Sequence, residues 1–334
     1  MSSVLIPANY TSKLNLYQTQ EAIAAIKSSF QHNLANALNL KRVTSPLFVD
    51  SNSGLNDNLN GVERPVRFDI KETGNYAEVV HSLAKWKRFA LYKYDFRPHK
   101  GLYTDMNAIR RDEDMDNIHS IYVDQWDWEK VITEEVRNME YLKQTVSAIM
   151  DAVCDTLNEI SVKFPANARI KREVTFITSQ ELEDMYPDFT SKERENAFAK
   201  KHGTVFIMQI GDKLASGKPH DGRAPDYDDW TLNGDILVYY ELLDFAMEIS
   251  SMGIRVNAES LCSQLAKSNN LDRASLPFHK ALLDGTLPLT MGGGIGQSRL
   301  CMLMLNKAHI GEVQASIWDD ETIKRCKEAG IELL

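Results

Sequence analysis

Apolar residues recur at helical spacing in several long stretches of the chain. Every fourth position from Ala22 to Leu38 is apolar, which predicts the buried face of a helix from about Thr19 to Leu38. Pro46 follows inside an extended segment, 43–49, where proline suits the edge of a sheet. The same spacing predicts helices, one or two in the first case, over residues 129–160, 191–201, 258–267 and 296–305.

Strand-like alternation lies between these helices. Val66, Phe68 and Ile70 are two residues apart, as are Ile121 and Val123, and this spacing predicts half-buried strands. Further strands are predicted over residues 174–177, 204–210, 235–240 and 245–256. Because strands and helices do not alternate regularly, we predict an α+β fold with a central, mostly antiparallel sheet flanked by helices. No linker-like composition interrupts the 334 residues, so a single domain is expected.

Charge and cysteine content narrow the class of protein. The chain has 38 Lys and Arg against 47 Asp and Glu, a net charge of -9, which argues against a nucleic-acid partner. The four cysteines are far apart, so buried free thiols are expected rather than a zinc site or disulfides. Neither a signal peptide nor an apolar run of bilayer-spanning length is present, so a cytoplasmic protein with no membrane partner is expected.

Two glycine-containing segments resemble nucleotide-binding fingerprints but depart from both patterns. Residues 211–219, GDKLASGKP, have one residue too many between the glycines of a P-loop, and Pro219 stands where Ser or Thr would hold magnesium. A turn between strands is predicted there instead. Residues 292–299, GGGIGQSR, place Arg299 at the third glycine position of a dinucleotide fingerprint. A Rossmann loop is therefore excluded.

The segment 292–299 has another use that its residues support. Its glycines allow a ligand to approach the backbone closely, and Arg299 falls in the first turn of an apolar helix. A planar guanidinium beside the positive end of a helix dipole suits a phosphate group. The alternative is a glycine turn followed by a solvated arginine.

Polar residues also follow an apolar strand face after Arg110 and a charged turn. Val123, Gln125 and Asp127 are two residues apart, so an apolar floor passes into polar groups on one face. This pattern is typical of a binding cleft, although a solvated surface has the same pattern.

Two carboxylates lie within apolar runs on neighbouring predicted strands. They are Asp235 and Glu248, with Ser251 three residues after the second. Such carboxylates are either salt-bridged or hold a cation, and the pair alone favours a structural salt bridge. The acidic segment 223–230, RAPDYDDW, is either an exposed loop or a loop that binds a substrate amino group.

Together these segments resemble the catalytic core of class II aminoacyl-tRNA synthetases. The helix leading into the segment with Pro46 resembles the first motif of that core, 110–125 the second and 292–299 the third. The resemblance is closer to the ammonia-dependent asparagine synthetase family and runs from about Tyr17 to Trp318. It rests on DNLNGVERPV from Asp57, EVVHSLAKWKR from Glu78, GLYTDMNAIRRDED from Gly101, HSIYVDQWDWE, RAPDYDDW, NGDIL, EISSMGIR and GGGIGQSRL. The loop after Trp230 is shorter than in some relatives.

The resemblance implies synthesis of L-asparagine from L-aspartate and ammonia. ATP would activate the side-chain carboxylate as β-aspartyl-AMP, with Mg²⁺ as cofactor and release of AMP and pyrophosphate, in a homodimer. Arg110 and Arg299 would hold the phosphates, and Asp235 and Glu248 would carry the metal. The implied ATP-binding residues are Arg110, His119, Ser120, Val123, Asp235, Glu248, Ser251, Gly292, Gly294 and Arg299.

The resemblance also implies an aspartate site and a set of catalytic residues. The substrate-binding residues would be Asp57, Ser82, Lys87, Gln125, Asp127, Arg223, Tyr227 and Asp228. The catalytic residues would be Asp57, Arg110, Gln125, Asp228 and Arg299. Residues 82–87 resemble an aspartyl-tRNA synthetase loop, from which we infer that Lys87 holds the α-carboxylate. Either Asp57 or Asp228 would deprotonate ammonium.

Ammonia is expected as the nitrogen source because the chain starts with Met1, Ser2 and Ser3 and so lacks the N-terminal cysteine of a glutamine-dependent enzyme. Two alternatives stay open. One is an aspartyl-tRNA synthetase or a relative that makes an adenylate for tRNA, against which the acidic charge and the absence of an anticodon-binding region argue. The other is an inactive paralogue that serves as a binding module.

Overall fold

Two sheets and the helices packed on them form the fold in the computed structural model, which describes residues 4–57, 59, 63–165 and 168–334. The helices are α1 (Leu16–Leu38), α2 (Ala84–Lys93), α3 (Met139–Ser161), α4 (Ser179–Met185), α5 (Ser191–His202), α6 (Ala258–Lys267), α7 (Pro277–Leu283), α8 (Gln297–Leu305) and α9 (Asp320–Glu328). The strands are β1 (Leu40–Arg42), β2 (Phe48–Asp50), β3 (Arg67–Asp69), β4 (Tyr76–Val79), β5 (Gly101–Ile109), β6 (Tyr122–Val131), β7 (Thr175–Thr178), β8 (Thr204–Met208), β9 (Asp228–Tyr240), β10 (Phe245–Arg255) and β11 (Thr290–Gly296).

The large sheet has eight strands in the order β1-β5-β6-β11-β10-β9-β8-β7. Its six central strands are antiparallel to their neighbours, but both edges, β1 with β5 and β7 with β8, pair in parallel. The sheet is therefore mixed, and the prediction of a mostly antiparallel sheet is corrected. Parallel pairs need long crossovers, and here α4 and α5 join β7 to β8.

One face of the large sheet packs against α1, α3 and α8. The helix α1 begins at a capping box between Asn15 and Gln18 and buries Ile26, Phe30 and Leu34 completely. The ring of Phe30 lies 4.7 Å from that of Trp126 on β6. Burial of so much apolar surface is the main stabilisation of this layer, and it leaves the alternate residues of β6 facing the other side of the sheet.

Several local predictions are corrected by the structure. Residues 129–131 belong to β6, because they pair with both β5 and β11, and the helix predicted from 129 begins only at Met139 after the N-cap Asn138. The prediction of a half-buried strand at β3 is wrong, because all three of its residues are exposed, Phe68 by 38%. The small sheet β2-β4-β3 lies at the surface. Pro46 lies between β1 and β2 rather than on a strand.

The remaining expectations concern turns, thiols and the membrane. Residues 211–219 form the predicted turn between β8 and β9, with a bridge between Lys213 and Pro219. The four cysteines are free, but Cys262 is exposed, which corrects the expectation that all are buried. Within the described residues, none of the helices has both the length and the apolar character needed to cross a bilayer.

Candidate active site

A strand rich in glycine forms the centre of the candidate site. On β11, Gly292 and Gly294 stand directly opposite Glu129 and Asp127 of β6. A Cβ atom at Gly294 would overlap the side chains of Gln125 and Asp127, and one at Gly292 would overlap Glu129. The missing side chains therefore make room for polar groups from the neighbouring strand. The glycines lie on a strand, so the alternative of a glycine turn is wrong.

A cavity of about 350 Å³ is lined by residues of β6, β10 and β11 and of the segment after β5, and its volume is within the usual size of a small-molecule site. Eleven of the residues predicted for the site line it. They are Arg110, His119, Ser120, Val123, Gln125, Arg223, Tyr227, Glu248, Ser251, Gly294 and Arg299. The other predicted residues lie outside the lining that the described residues form, and they are Asp57, Ser82, Lys87, Asp127, Asp228, Asp235 and Gly292.

Three arginines line the cavity, and two of them, Arg110 and Arg299, come from separate parts of the fold. Arg299 lies in the first turn of α8, and it donates hydrogen bonds from Nε to the Ile118 carbonyl at 3.2 Å and from Nη1 to the Glu248 carbonyl at 3.1 Å. Both acceptors are uncharged, so these bonds orient the guanidinium without neutralising it. Arg110 follows the last residue of β5, and its Nη1 lies 4.0 Å from Glu113. The arrangement suits an anionic ligand.

The helix that carries Arg299 is held by the strand below it. The N-cap position of α8 is Gly296, which has no capping side chain. Instead, Asp124 of β6 accepts a hydrogen bond from the backbone N–H of Ser298 at 3.1 Å and forms an ion pair with Lys27 of α1. A carboxylate at this end of the helix is favourable because it satisfies a free N–H beside the positive end of the dipole.

The two predicted metal-binding carboxylates lie on adjacent strands. Asp235 of β9 pairs with Ser251 of β10, and Glu248 lies one bulge earlier on β10. Arg223 donates a hydrogen bond from Nη2 to Asp235 at 2.8 Å and another to the Ser251 hydroxyl. The pKa of Asp235 is raised to about 6, chiefly by burial; the negative charge of Glu248 adds to the rise, and Arg223 opposes it.

These oxygen donors fit Mg²⁺ that arrives with a nucleotide. Magnesium is usually held by one or two carboxylates together with phosphate oxygens and waters. Asp235 and Glu248 supply two carboxylates whose mutual repulsion a cation would relieve. Among the residues that the structure describes, no group of three or more His, Cys, Asp or Glu side chains could hold a metal ion. Two carboxylates suit a magnesium ion whose other ligands are phosphate oxygens and waters.

A network of buried ion pairs lies beneath the cavity floor. Lys87 of α2, whose side chain is 1% exposed, lies 3.2 Å from Asp127 and donates to the Gly293 carbonyl at 2.9 Å. Burial lowers the pKa of Lys87 although Asp127 opposes this shift. The Lys87 ammonium therefore neutralises Asp127 and lies below the cavity surface rather than on it.

A second part of the network centres on Asp228. Arg255 at the end of β10 forms ion pairs with Glu129, at 2.8 Å, and with Asp228. Arg223 Nε lies 3.5 Å from the other oxygen of Asp228. Despite full burial, the nearby carboxylates raise the pKa of Arg255, and burial raises that of Tyr227 well above its ordinary value. Asp228 is thus held rigidly by two guanidinium groups.

Two predicted residues outside the lining contact each other: Ser82, just before α2, and Asp57, between β2 and β3. Ser82 donates a hydrogen bond to Asp57 at 2.8 Å, and Asp57 also accepts from the backbone N–H of Leu59. Leu59 itself lines the cavity. Residues 58 and 60–62, within the block DNLNGVERPV, lie outside the described residues, as do Met1, Ser2 and Ser3.

Sequence reasoning missed Arg255 and the contacts of Asp226. Arg255 alternates with Ser251 and Gly253 on β10, so strand periodicity could have placed it near the site. Asp226 accepts from Lys85 at 3.3 Å and from His279 at 3.0 Å. No sequence pattern links these three residues, because they lie on separate elements that only packing brings together.

Comparisons with known proteins agree with this geometry. A family model described as aspartate-ammonia ligase matches residues 17–330. The aspartate–ammonia ligase of Lactobacillus johnsonii is 59% identical over 99% of this chain and 100% of its own length. That of Clostridium perfringens is 60% identical over 100% of both chains.

The fold also matches class II aminoacyl-tRNA synthetases. The asparaginyl-tRNA synthetase of Entamoeba histolytica in complex with asparaginyl-adenylate has a TM-score of 0.63 at 12% identity, covering 90% of this chain and 66% of that one. The Pyrococcus horikoshii asparaginyl-tRNA synthetase with asparaginyl-adenylate has a TM-score of 0.61 at 12% identity, covering 90% and 70%. These likenesses show the fold alone and confirm the predicted synthetase-like core. By its match over residues 17–330 and its full-length relatives near 60% identity, the chain belongs to the aspartate–ammonia ligase family.

Proposed function

We propose that the protein makes L-asparagine from L-aspartate and ammonia, with ATP consumed to AMP and pyrophosphate through β-aspartyl-AMP. The observation that carries the proposal is one cavity whose lining brings together Arg110, Arg299, Gln125 and Glu248. The guanidinium groups of the two arginines suit the phosphates of ATP. The Gln125 amide, at the polar end of an apolar strand face, suits a polar substrate such as aspartate. Close relatives named aspartate–ammonia ligase support the same reaction.

In this proposal Arg110 and Arg299 bind the phosphates of ATP. Their charge stabilises the negative charge that develops as an aspartate carboxylate oxygen attacks the α-phosphorus and pyrophosphate leaves. Asp235 and Glu248 would hold Mg²⁺, which neutralises phosphate charge when bound. His119, Ser120, Val123, Ser251, Gly292 and Gly294 complete the proposed nucleotide site.

The aspartate site is proposed at the floor of the cavity, directly above the buried pair of Lys87 and Asp127. Lys87 would bind the substrate α-carboxylate and Asp127 its ammonium group, and these two residues pair with each other at 3.2 Å. A zwitterionic amino acid offers both charges at once, so it can replace one buried ion pair by two. Gln125, Arg223, Tyr227 and Ser82 are proposed to surround it.

The second step requires a neutral amine. Ammonia attacks the activated carbonyl carbon and displaces AMP, and ammonium must first lose a proton to become nucleophilic. Asp57 and Asp228 are the two proposed bases. Asp228 follows Tyr227, which lines the cavity. Asp57 immediately precedes residue 58, which lies outside the described residues.

We also propose that the whole chain acts as one catalytic domain in a homodimer. Leu47 and Phe48, next to Pro46, are 53% and 46% exposed. Adjacent exposed apolar side chains form a patch, and in this proposal the other subunit covers it. The resemblance of this region to the first synthetase motif supports the same surface.

The experiment that tests the function measures AMP, pyrophosphate and asparagine from aspartate, ATP and Mg²⁺. Ammonium and glutamine are compared as nitrogen donors, with a tRNA control. Asparagine formed with ammonium, in equal amount to AMP, is expected. Turnover that requires tRNA would make the protein an adenylate-forming synthetase for tRNA, and a complete absence of AMP would make it an inactive binding module.

A further inference from the structure

Asn117 lies next to the cavity wall and joins three segments of the chain. Its side chain is 3% exposed. Oδ1 accepts a hydrogen bond from the backbone N–H of Leu5 at 2.6 Å, while Nδ2 donates to the carbonyls of Leu5 at 2.8 Å and of Ala308 at 2.7 Å. Its own carbonyl accepts from the N–H of Ile310 at 2.8 Å.

These partners fix the orientation of the amide. A backbone N–H faces the side-chain oxygen and two carbonyls face the nitrogen, so the reverse orientation would oppose like groups in all three contacts. Removal of the amide would leave three backbone groups without this partner, and the loss is costly at the buried Ala308 carbonyl. Asn117 therefore holds residues 116–120 in one position relative to Leu5 and Ala308.

The segment that Asn117 holds controls two residues of the cavity. The carbonyl of Ile118 accepts the hydrogen bond from Arg299 Nε at 3.2 Å. Asp116 accepts from the Nδ1 of His119 at 2.9 Å and from the backbone N–H groups of Ile118 and His119 at 2.8 Å. A shift of Asn117 would thus move the acceptor that orients Arg299.

The N-terminal segment is anchored well enough to serve as the fixed end. Tyr10 donates to the Glu312 carboxylate at 2.8 Å, and Lys307 donates to Ser12 at 2.8 Å while lying 3.5 Å from Glu312. Val4 is buried with Ala308 in a small apolar cluster. Leu5 is therefore tied to the same part of the chain, 307–312, that Asn117 contacts.

We infer that Asn117 is a positioning residue for ATP, which transmits the anchoring of residues 4–14 through Ile118 to the guanidinium of Arg299. The inference rests on the proposed role of Arg299 in ATP binding. It adds that the N-terminal segment, which lies outside the cavity lining, affects the affinity for the nucleotide.

The test compares Asn117→Ala and Asn117→Asp with the native protein. The aspartate variant keeps the size of the side chain but presents oxygen to the two carbonyls. Both variants should raise the KM for ATP about tenfold, the effect of losing a well-oriented hydrogen bond, and leave the KM for aspartate within about twofold. Calorimetric titration of ATP, without turnover, should show the same loss of affinity.

A matched control and a double variant separate positioning from general destabilisation. Asn233 is also fully buried and exchanges two hydrogen bonds with the backbone of Ile210, both 2.8 Å, outside the cavity lining. Asn233→Ala should lower thermal stability while leaving the ratio of the two KM values unchanged. Leu5→Pro removes the backbone N–H that donates a hydrogen bond to Asn117 Oδ1. It should raise the KM for ATP, and its effect on that KM should be non-additive with the effect of Asn117→Ala.

Equal rises in both KM values, or an unchanged ATP affinity in a folded Asn117 variant, would overturn the inference. So would strict additivity of Leu5→Pro and Asn117→Ala, because independent effects exclude a shared linkage. Failure of the proposed function is distinguishable, since it would remove asparagine formation from the native protein while calorimetry still reports on ATP.

Discussion

Arg223 donates a hydrogen bond to Asp235 at 2.8 Å and thereby links the loop after β8 to the floor of the candidate site. The contact compensates a buried carboxylate whose pKa burial and Glu248 raise to about 6. An ionised Asp235 in this position opposes folding unless a cation is near, and Arg223 supplies that charge when no metal is bound. The pair therefore connects stability, pH and the proposed metal site.

Asp235→Asn should change how stability depends on pH. The folded pKa of Asp235 lies above its ordinary value of 3.8, so its contribution to stability is complete below about pH 4 and is lost as pH rises through about 6. Thermal unfolding of both proteins at intervals from about pH 4 to 7 should show the native protein losing stability relative to the variant. A difference in Tm that stays constant over this range would contradict the shift.

The same variant should lose activity despite its stability. An amide binds Mg²⁺ more weakly than a carboxylate, so AMP formation should fall about 100-fold and need more Mg²⁺ for half its maximal rate. Below about pH 6 the native enzyme should lose activity as Asp235 is protonated. Glu259→Gln, on the first turn of α6 and outside the cavity lining, is the control and should retain native activity.

Activity should require the guanidinium group of Arg299 and not only its positive charge. Arg299→Ala removes both carbonyl contacts and the cation, and AMP formation should fall about 10²–10³-fold. Arg299→Lys retains the charge but cannot make the two fixed hydrogen bonds, to Ile118 and Glu248, so it should recover only part of the loss. Steady-state kinetics with ATP as the varied substrate measure both, and full activity in the alanine variant would remove Arg299 from the site.

Gly294→Ala should disturb the floor of the cavity directly. The new methyl group would overlap Gln125 and Asp127, so we expect a loss of about 1–3 kcal/mol in the free energy of unfolding and a raised KM for aspartate. Gly330 has a φ of 70° and open space around it. Gly330→Ala should therefore lower the free energy of unfolding by about 1 kcal/mol through backbone strain, without changing the KM for aspartate. Denaturant unfolding with parallel kinetics compares them, and an unchanged KM in Gly294→Ala would contradict the site.

Breaking the Lys87–Asp127 pair on one side should be more harmful than removing it. Lys87→Met leaves a buried carboxylate unpaired and should cost about 3–5 kcal/mol, whereas Lys87→Met with Asp127→Leu should recover most of that stability. Neither protein should bind aspartate, because the proposed partners of its carboxylate and ammonium groups are gone. Urea unfolding and aspartate titration test this, and a double variant less stable than Lys87→Met would contradict the explanation.

The proposed homodimer predicts a specific effect of Phe48. Sedimentation of the native protein should give twice the 37.9 kDa mass of the chain, and Phe48→Glu should shift it towards the monomer by placing charge in an apolar contact. The control is Ile317→Glu, which changes an apolar residue that is 74% exposed and lies outside the segment next to Pro46; it should leave the dimer intact. Native protein that sediments only as a monomer would exclude the proposal.

Local structure in this protein was largely predictable from the sequence, and the wrong predictions have clear physical causes. The spacing of apolar residues predicted α1, α5, α6 and α8 within a few residues. The residues after 129 were assigned to a helix because their pairing with β5 and β11 depends on partners far away in the chain. The parallel edges of the sheet were missed for the same reason.

The candidate site divides in a similar way. By itself the sequence determined the family, the arginines and the carboxylate pair on β9 and β10, because these depend on motifs and on spacing within a strand. Only the tertiary structure decided that the glycines of β11 face Gln125 and Asp127, that Lys87 is neutralised by Asp127, and that Asn117 meets Leu5. Contacts between distant segments follow from how the layers pack, and the order of residues along the chain does not encode them locally.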